Sequence, residues 1–194
     1  MLALPGSAYV YQGEELGLPE VEDMPDECRQ DPPFERSGGA DVGRDGCRVP
    51  LPWSGEVAPF GFSGTDRTTT WLPQPADWSA LTRERQRDDP GSMLRLYRRA
   101  IELRRGIVRL APGSDLRWLD LGPDVLGFVR PGGVVSITNL GEDVIDVAAH
   151  LPAGARRMLC SAPVDPDDAA AETLGPSDVT SWFLAPESLE PHSS

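Results

Sequence analysis

The segment from residue 18 to residue 88 constrains the fold of this chain most, because it is long and has no sustained hydrophobic period. It is dense in proline, glycine and aspartate, which favour turns and loops. A segment of this length without regular structure is uncommon in a compact domain unless it carries a function. We therefore expect a functional loop here.

A short strand and a helix are predicted on either side of this loop. The run AYVYQ (residues 8–12) follows a Pro-Gly turn and predicts a buried strand, which needs neighbours on both sides. The run DDPGSMLRLYRRAIELRRG (88–106) predicts a helix, with Asp89 as N-cap, Pro90 in the first position and Gly106 at the end. An apolar stripe along this helix predicts core packing, and it comprises Met93, Leu96, Tyr97, Ala100, Ile101 and Leu103.

Beyond residue 111, short apolar runs separated by turns predict a small antiparallel sandwich or barrel. The runs are LRWLDL, VLGFVR, VVSITN, VIDVAA, RRMLCS and TSWFLA. The chain is therefore expected to have three parts, which are residues 1–110, a β domain of residues 111–186 and a disordered tail of residues 187–194. One strand cannot pair both of its edges or cover both of its faces, so the first part is expected to be incomplete.

Composition and charge exclude several classes of protein. The net charge of −13 argues against binding to nucleic acid or to an anionic membrane surface. The three cysteines give neither a disulfide framework nor a CxxC metal spacing. No apolar run approaches the ~20 residues of a membrane span, and the N-terminus lacks the basic region of a signal peptide. We expect a soluble cytoplasmic protein without a metal ion or other cofactor.

Five sequence blocks, in order along the chain, resemble one enzyme family. They are PGSAYVYQGEELGLPE (5–20), RQDP (29–32), GRDGCRVPLPW (43–53), WLPQP (71–75) and SMLRLYRRAIELRR (92–105). Together they resemble the C-terminal part of an α-glucosidase of the α-amylase superfamily (glycoside hydrolase family 13), in the oligo-1,6-glucosidase and maltase branch. The resemblance covers roughly residues 4–141.

The resemblance implies a fold of the α/β plus all-β class. Residues 1–110 would be the terminal βα unit of a (β/α)8 barrel, with its last strand, its long substrate loop and its last helix. A small antiparallel β-sandwich domain would follow. The implied activity is retaining hydrolysis of α-glucosidic bonds in oligosaccharides, and the implied partner is an α-glucoside oligosaccharide.

The resemblance also implies that this chain alone is inactive. The three catalytic carboxylates of the family follow earlier barrel strands, before the first residue here, so no catalytic residue is assigned. Retaining hydrolysis needs two carboxyl groups about 5–5.5 Å apart. The adjacent Glu14 and Glu15 would point to opposite faces of a strand, so a role in supporting the barrel rim is favoured.

The loop GRDGCRVPLPW contains the residues assigned to a site. Arg44 resembles the family's arginine that pairs with an aspartate of the first barrel strand and binds the sugar at the non-reducing end. A guanidinium presents a rigid fork of donors to hydroxyls and to a carboxylate at once, so a substrate-binding role is favoured for Arg44. Ion pairing that only supports the loop is favoured for Asp45 and Arg48.

Two classes of function remain open. The first is a C-terminal fragment of an α-glucosidase, whether truncated or one chain of a split enzyme that an upstream chain completes. The second is a standalone noncatalytic carbohydrate-binding or scaffolding module. The barrel strand and helix favour the first class, because a binding module has no use for them.

Other motifs are weaker. The acidic run PEVEDMPDE (19–27) lacks the spacing of a calcium loop, and GFSGT (61–65) departs from GxSxG at its last residue. Cys47 has no predicted activating neighbour and is expected to be inert. Four aromatic residues could stack on sugars, but packing is favoured for them; they are Phe60, Phe62, Trp71 and Trp78.

Overall fold

The computed structural model describes residues 1–64, 69–106, 115–162, 173–176 and 179–185. Among these residues, three α-helices precede the first strand: α1 (Pro32–Ser37), α2 (Arg83–Arg87) and α3 (Met93–Gly106). Short 3₁₀ turns build much of the remaining chain, at Glu14–Leu16, Asp26–Cys28, Asp45–Arg48, Ala76–Leu81 and Ala148–His150. Within the described ranges, no helix is long and apolar enough to span a membrane.

The strands form two antiparallel sheets. Their bounds are β1 (Arg117–Leu119), β2 (Val125–Arg130), β3 (Val134–Asn139), β4 (Ile145–Asp146), β5 (Arg156–Cys160), β6 (Thr173–Leu174) and β7 (Val179–Leu184). The larger sheet has the order β1-β2-β3-β7-β5, and β4 pairs with β6. Each of the six apolar runs predicted as strands overlaps one strand, which confirms the antiparallel prediction, whereas β6 was not predicted.

The two faces of the larger sheet belong to different core clusters. Val135, Ile137 and Phe183 lie on one face and are buried together with Val147 and Leu174. The alternate residues of β2 and β7 point to the opposite face, because successive side chains of a strand alternate. There Phe128 and Trp182 form a second cluster with Ala3, Ala100 and Leu103.

The chain divides into two compact units, which differ from the three predicted parts. One unit combines Met1–Ala8 with Arg98–Ser194, and the other is Tyr9–Tyr97. The predicted boundary between residues 110 and 111 and the predicted tail of residues 187–194 both lie outside the described residues. The three-part division therefore stays a prediction.

The N-terminal residues are bound to the unit that contains the sheets. The Arg104 guanidinium donates hydrogen bonds to the carbonyl oxygens of Leu2, Leu4 and Gly6. The buried Arg130 of β2 donates to the carbonyl oxygen of Ala3 across 3.3 Å. The side chain of Ala3 is itself buried in the core, so this unit is assembled from both ends of the chain.

The unit Tyr9–Tyr97 has its own core despite its scarcity of regular structure. Its buried cluster comprises Met24, Val49, Phe60, Leu72 and Trp78. The amide of the buried Gln86 donates to the carbonyl oxygens of Leu16 (2.8 Å) and Leu81 (3.0 Å) and accepts from the backbone N–H of Leu94 (3.1 Å). One side chain thus satisfies three backbone groups, of which that of Leu16 is 70 positions away in the chain.

Helix α3 begins later than the sequence predicts. Its first residue is Met93, and the Ser92 hydroxyl accepts from the backbone N–H of Arg95 at 3.3 Å, as an N-cap does. The carboxylate of Asp89 instead accepts from the N–H of Gly91 at 2.9 Å. The N-cap prediction for Asp89 is therefore wrong, because Asp89 makes a local turn of the kind aspartate favours before a helix.

The prediction of a buried strand at residues 8–12 is also wrong for this chain. Residues 7–11 form no strand, and the side chains of Tyr9, Val10 and Tyr11 are exposed. A strand is stabilised by pairing with neighbours. No residue that the structure describes hydrogen-bonds to the backbone of Tyr9 or Val10, so a strand-forming sequence pattern is here not accompanied by strand pairing.

Candidate functional site

Asp45 holds the loop of residues 43–53 against an earlier segment of the chain. The residue is 1% exposed, and Oδ2 accepts hydrogen bonds from the backbone N–H groups of Gln30 (2.6 Å) and Asp31 (2.8 Å). Its Oδ1 lies 3.5 Å from Nη1 of Arg48. A buried carboxylate with two amide donors and a cation is well satisfied, so it fixes the loop to residues 30 and 31.

Asp31 is a second buried carboxylate, which the sequence did not single out. Its Oδ2 accepts from the backbone N–H of Arg44 at 2.7 Å, and its Oδ1 lies 3.2 Å from Nη1 of Arg48. The Arg44 backbone N–H, followed by Arg48, lowers the pKa of Asp31 below its ordinary value of 3.8. The hydrogen bond that the Arg48 guanidinium donates to Asp31 raises the pKa of Arg48.

Glycines allow the loop to approach its neighbours this closely. Gly43 has φ +68°, and a Cβ there would lie 2.6 Å from the Cβ of Asp31. A Cβ on Gly46 would lie 2.6 Å from the carbonyl oxygen of Val21. Both contacts are shorter than real Cβ atoms make, so each position requires glycine.

Arg44 differs from Arg48 in where its side chain lies. The Arg44 side chain is 77% exposed, and its Nε is 3.9 Å from Oδ2 of Asp31. Arg48 is only 32% exposed and lies between Asp31 and Asp45. The main chain of Arg44 is therefore fixed while its guanidinium stays open to solvent, where it can donate a fork of hydrogen bonds.

Cys47 lies beside this cluster. Burial, followed by the Glu20 carboxylate, raises the pKa of the Cys47 thiol above its ordinary value of 9.0. A protonated thiol is a poor nucleophile and a poor metal ligand. Among the residues that the structure describes, no three His, Cys, Asp or Glu side chains converge as metal ligands would.

The carboxylates of Glu14 and Glu15 accept hydrogen bonds from the backbone just before them. Glu14 Oε2 accepts from the backbone N–H of Tyr11 at 3.2 Å, and Glu15 Oε2 accepts from that of Gly13 at 3.0 Å. These contacts agree with a supporting role. Each of the two carboxylates therefore binds a neighbouring backbone N–H group.

The loop aromatics divide into buried and exposed residues. Phe60 and Trp78 are buried in the core, as packing requires, whereas Phe62 and Trp71 are exposed. Trp78 also lines a cleft of about 600 Å³, whose walls are the acidic run of residues 19–25 and Pro73, Gln74, Pro75 and Asp77. The four aromatics thus do not form one stacking surface within this unit.

The family model "Alpha amylase, catalytic domain" matches residues 1–111 of the chain. A probable alpha-glucosidase of Rhizobium meliloti (strain 1021) is 36% identical over 146 residues, which is 74% of this chain and 25% of that protein. An oligo-1,6-glucosidase of Parageobacillus thermoglucosidasius is 26% identical over 159 residues, with shares of 72% and 28%. The chain thus spans about a quarter of the length of these relatives.

Solved structures agree with the family match. The alpha-glucosyl transfer enzyme XgtA is 31% identical with a TM-score of 0.72, covering 95% of this chain and 34% of XgtA. The trehalulose synthase MutB from Pseudomonas mesoacidophila MX-45 has a TM-score of 0.68 at 23% identity, which shows a likeness of fold alone, and covers 92% of this chain and 35% of MutB. Since the family model matches more than half of the chain, the chain belongs to the α-amylase catalytic-domain family, and its relatives include α-glucosidases and oligo-1,6-glucosidases.

Proposed function

We propose that this chain is the C-terminal part of an α-glucosidase-like glycoside hydrolase and that Arg44 binds the sugar substrate. The observation that carries the proposal is the contrast within Arg44, whose backbone is fixed by Asp31 while its guanidinium is 77% exposed. A cation that only supported its loop would be expected to bury its donors against partners, as Arg48 does. Family membership and the names of the relatives support the same assignment.

In this proposal the loop supplies Arg44, which is one of the two residues that together bind the sugar. The exposed Arg44 donates hydrogen bonds to sugar hydroxyls and to an aspartate from the first barrel strand, which lies outside this chain. Asp45 and Arg48 support the loop through the contacts with residues 30 and 31. Because the backbone of Arg44 is already fixed by Asp31, binding costs little backbone conformational freedom, which favours affinity.

We further propose that the chain alone does not hydrolyse glucosides. The nucleophile and acid/base carboxylates come from the rest of the barrel, in the same polypeptide or in an upstream chain. Residues 1–110 are then the terminal βα unit of that barrel and the two sheets are its small β-sandwich domain. The cluster shared by Ile145 of β4, Leu174 of β6 and Val135 of β3 supports packing of the sheets face to face. A cytoplasmic location stays a prediction.

The DNA upstream of the Met1 codon provides the first test. A continuous or adjacent reading frame that encodes the rest of the barrel is expected. The purified chain is expected to release no glucose from maltose or isomaltose, and glucose release that survives repurification would overturn the proposed inactivity. No upstream barrel, together with calorimetric binding of maltose by the chain alone, would instead favour the noncatalytic binding module.

The role of Arg44 is tested in the longer protein or the reconstituted pair. Arg44→Gln is expected to raise KM for maltose by about 10- to 100-fold, because it removes charge-assisted hydrogen bonds to the sugar. Arg36→Gln is the matched control, since Arg36 is an exposed arginine in the same unit. Equal kinetic constants for the two variants would exclude a sugar-binding role for Arg44.

A further inference from the structure

Two buried carboxylates in the unit Tyr9–Tyr97 share the charge of one arginine. Asp31 is 5% exposed and Asp45 is 1% exposed. Nη1 of Arg48 lies 3.2 Å from Oδ1 of Asp31 and 3.5 Å from Oδ1 of Asp45. A buried charge that loses its partner is strongly destabilising, so both carboxylates depend on the Arg48 guanidinium.

Arg44 is the second cation beside Asp31, and its side chain stops short of a hydrogen bond. Its Nε lies 3.9 Å from Oδ2 of Asp31, whereas a charged hydrogen bond needs about 2.7–2.9 Å. Oδ2 already accepts from the backbone N–H of Arg44, and a carboxylate oxygen can accept a second hydrogen bond. A movement of about 1 Å would therefore bring the Arg44 guanidinium into direct contact with Asp31.

The charge of Arg48 opposes that movement. While Arg48 pairs with Asp31, part of the charge of the carboxylate is neutralised, and the two guanidinium groups repel each other. If Arg48 were replaced by a neutral residue, Arg44 would be the remaining ion-pair partner of Asp31 among the residues that the structure describes. The Arg44 guanidinium would then donate to Asp31, and those donors would no longer be free for a ligand.

We propose that Arg48 is a positioning residue for sugar binding, because its ion pair with Asp31 keeps the Arg44 guanidinium free to bind the substrate. Since Arg48 acts through Arg44, this role rests on the sugar-binding function proposed above for Arg44. Loss of Arg48 then weakens sugar binding only while Asp31 carries its charge. If Arg48 only supported the loop, or contacted the sugar itself, neutralising Asp31 would not restore what its loss removes.

Urea unfolding of the chain as it stands tests the competition for Asp31 without any sugar. Arg44→Gln is expected to lower the urea midpoint by no more than about 0.2 M in the parent, but by more than about 0.5 M in an Arg48→Gln background, where Arg44 has become the partner of Asp31. Adding Asp31→Asn is expected to return the effect of Arg44→Gln to the smaller value. Arg36→Gln, at an exposed arginine, is the control in each background. Equal effects of Arg44→Gln with and without Arg48 would overturn the proposal.

Kinetics of the longer protein, or of the reconstituted pair, test the consequence for the substrate. Arg48→Gln is expected to raise KM for maltose by about 10-fold with little change in kcat, because Arg44 is then held by Asp31. Adding Asp31→Asn is expected to bring KM back to within about 3-fold of the parent value. Arg85→Gln is the matched control, since Arg85 pairs with Glu56 at 3.1 Å on the surface of the same unit.

The outcomes distinguish this role of Arg48 from the proposed function of Arg44. A raised KM that Asp31→Asn does not reverse would overturn the positioning role. The double variant is also expected to match Asp31→Asn alone, and a higher KM in the double variant would overturn the role even if Arg48→Gln by itself does not fold. Unchanged kinetics in Arg44→Gln would instead refute sugar binding by Arg44, and the urea midpoints would still decide whether Arg44 and Arg48 compete for Asp31.

Discussion

The carboxylate of Asp31 accepts a hydrogen bond from the backbone N–H of Arg44 across 2.7 Å, although the two residues are 13 positions apart. The other oxygen of Asp31 lies 3.2 Å from the Arg48 guanidinium. Arg48 therefore satisfies much of the negative charge of Asp31. Two cations surround this one carboxylate. Because Arg48 pairs with it, the guanidinium of Arg44 remains available to bind a ligand.

The stability of the chain is expected to depend on the ionisation of Asp31. Because the Arg44 N–H lowers the pKa of Asp31 in the folded state, its contribution is present above the ordinary value of 3.8 and is lost as the pH falls through the lowered pKa. Asp31→Asn should remove this part of the acid dependence. Urea midpoints for both proteins between about pH 2 and pH 6 provide the measurement.

In that comparison the two midpoints are expected to differ most at the upper end of the range and to converge towards the acidic end. A gap that stays constant with pH would mean that Asp31 stabilises the loop without being ionised. Other carboxylates titrate in both proteins, so only the difference between the curves reports on Asp31.

Asp45→Asn is expected to destabilise the chain by about 1–3 kcal/mol, because an amide cannot accept from two backbone N–H groups and pair with Arg48 as a carboxylate does. Asp41→Asn is the matched control, since Asp41 is exposed and its carboxylate accepts one N–H, that of Gly43. Chemical denaturation measures both. Equal losses of unfolding free energy in the two variants would show that the buried carboxylate of Asp45 stabilises the chain no more than an exposed one.

Substitutions of the two arginines are expected to distinguish Arg48, which supports the loop, from Arg44, whose guanidinium is available to a ligand. Arg44→Ala should change the free energy of unfolding by no more than about 0.5 kcal/mol, because its side chain is mostly in solvent. Arg48→Ala should lower the melting temperature clearly, because it leaves the carboxylates of Asp31 and Asp45 without their shared cation. Calorimetry at neutral pH compares them, and a larger loss for Arg44→Ala would contradict the assignment.

Gly46→Ala is expected to destabilise the loop by about 1–3 kcal/mol, because its Cβ would overlap the carbonyl oxygen of Val21. Gly64→Ala provides the control, since a Cβ there meets no atom within 4 Å. Thermal unfolding of both variants tests the difference. Equal melting temperatures would mean that the backbone at Val21 moves without cost.

The sheets could be predicted from the sequence, whereas some local details could not. Alternation of apolar and polar residues, as in Val135, Ser136 and Ile137, places the apolar side chains on one face of a strand and is visible locally. Strand β6 has only the residues Thr173 and Leu174 and is followed at once by Gly-Pro, so no alternation can appear in it. Strand β4 is as short, but Val147 continues the alternation of Ile145 and Asp146. The start of α3 was misplaced because Asp89 and Ser92 are both good caps, and only the folded contacts distinguish them.

The candidate site was predicted in part. The loop arginines were visible because glycines and prolines surround them, but Asp31 was not. Aspartate before two prolines is the pattern of a helix N-cap, yet the Asp31 side chain makes no cap hydrogen bond to α1 and contacts Arg44 and Arg48 instead. A contact between residues 13 positions apart depends on the path of the loop, which the sequence pattern does not specify.

The involvement of both chain ends in one unit has a practical consequence for dissecting this protein. The unit boundary falls between Tyr97 and Arg98, inside α3. A recombinant piece that starts at residue 98 would begin within a helix, and it would lack the buried Ala3 and the carbonyl groups that Arg104 binds. A circular permutant that joins residues 1–8 to the other end of the unit would keep those contacts and is the sounder design for expressing the sheets alone.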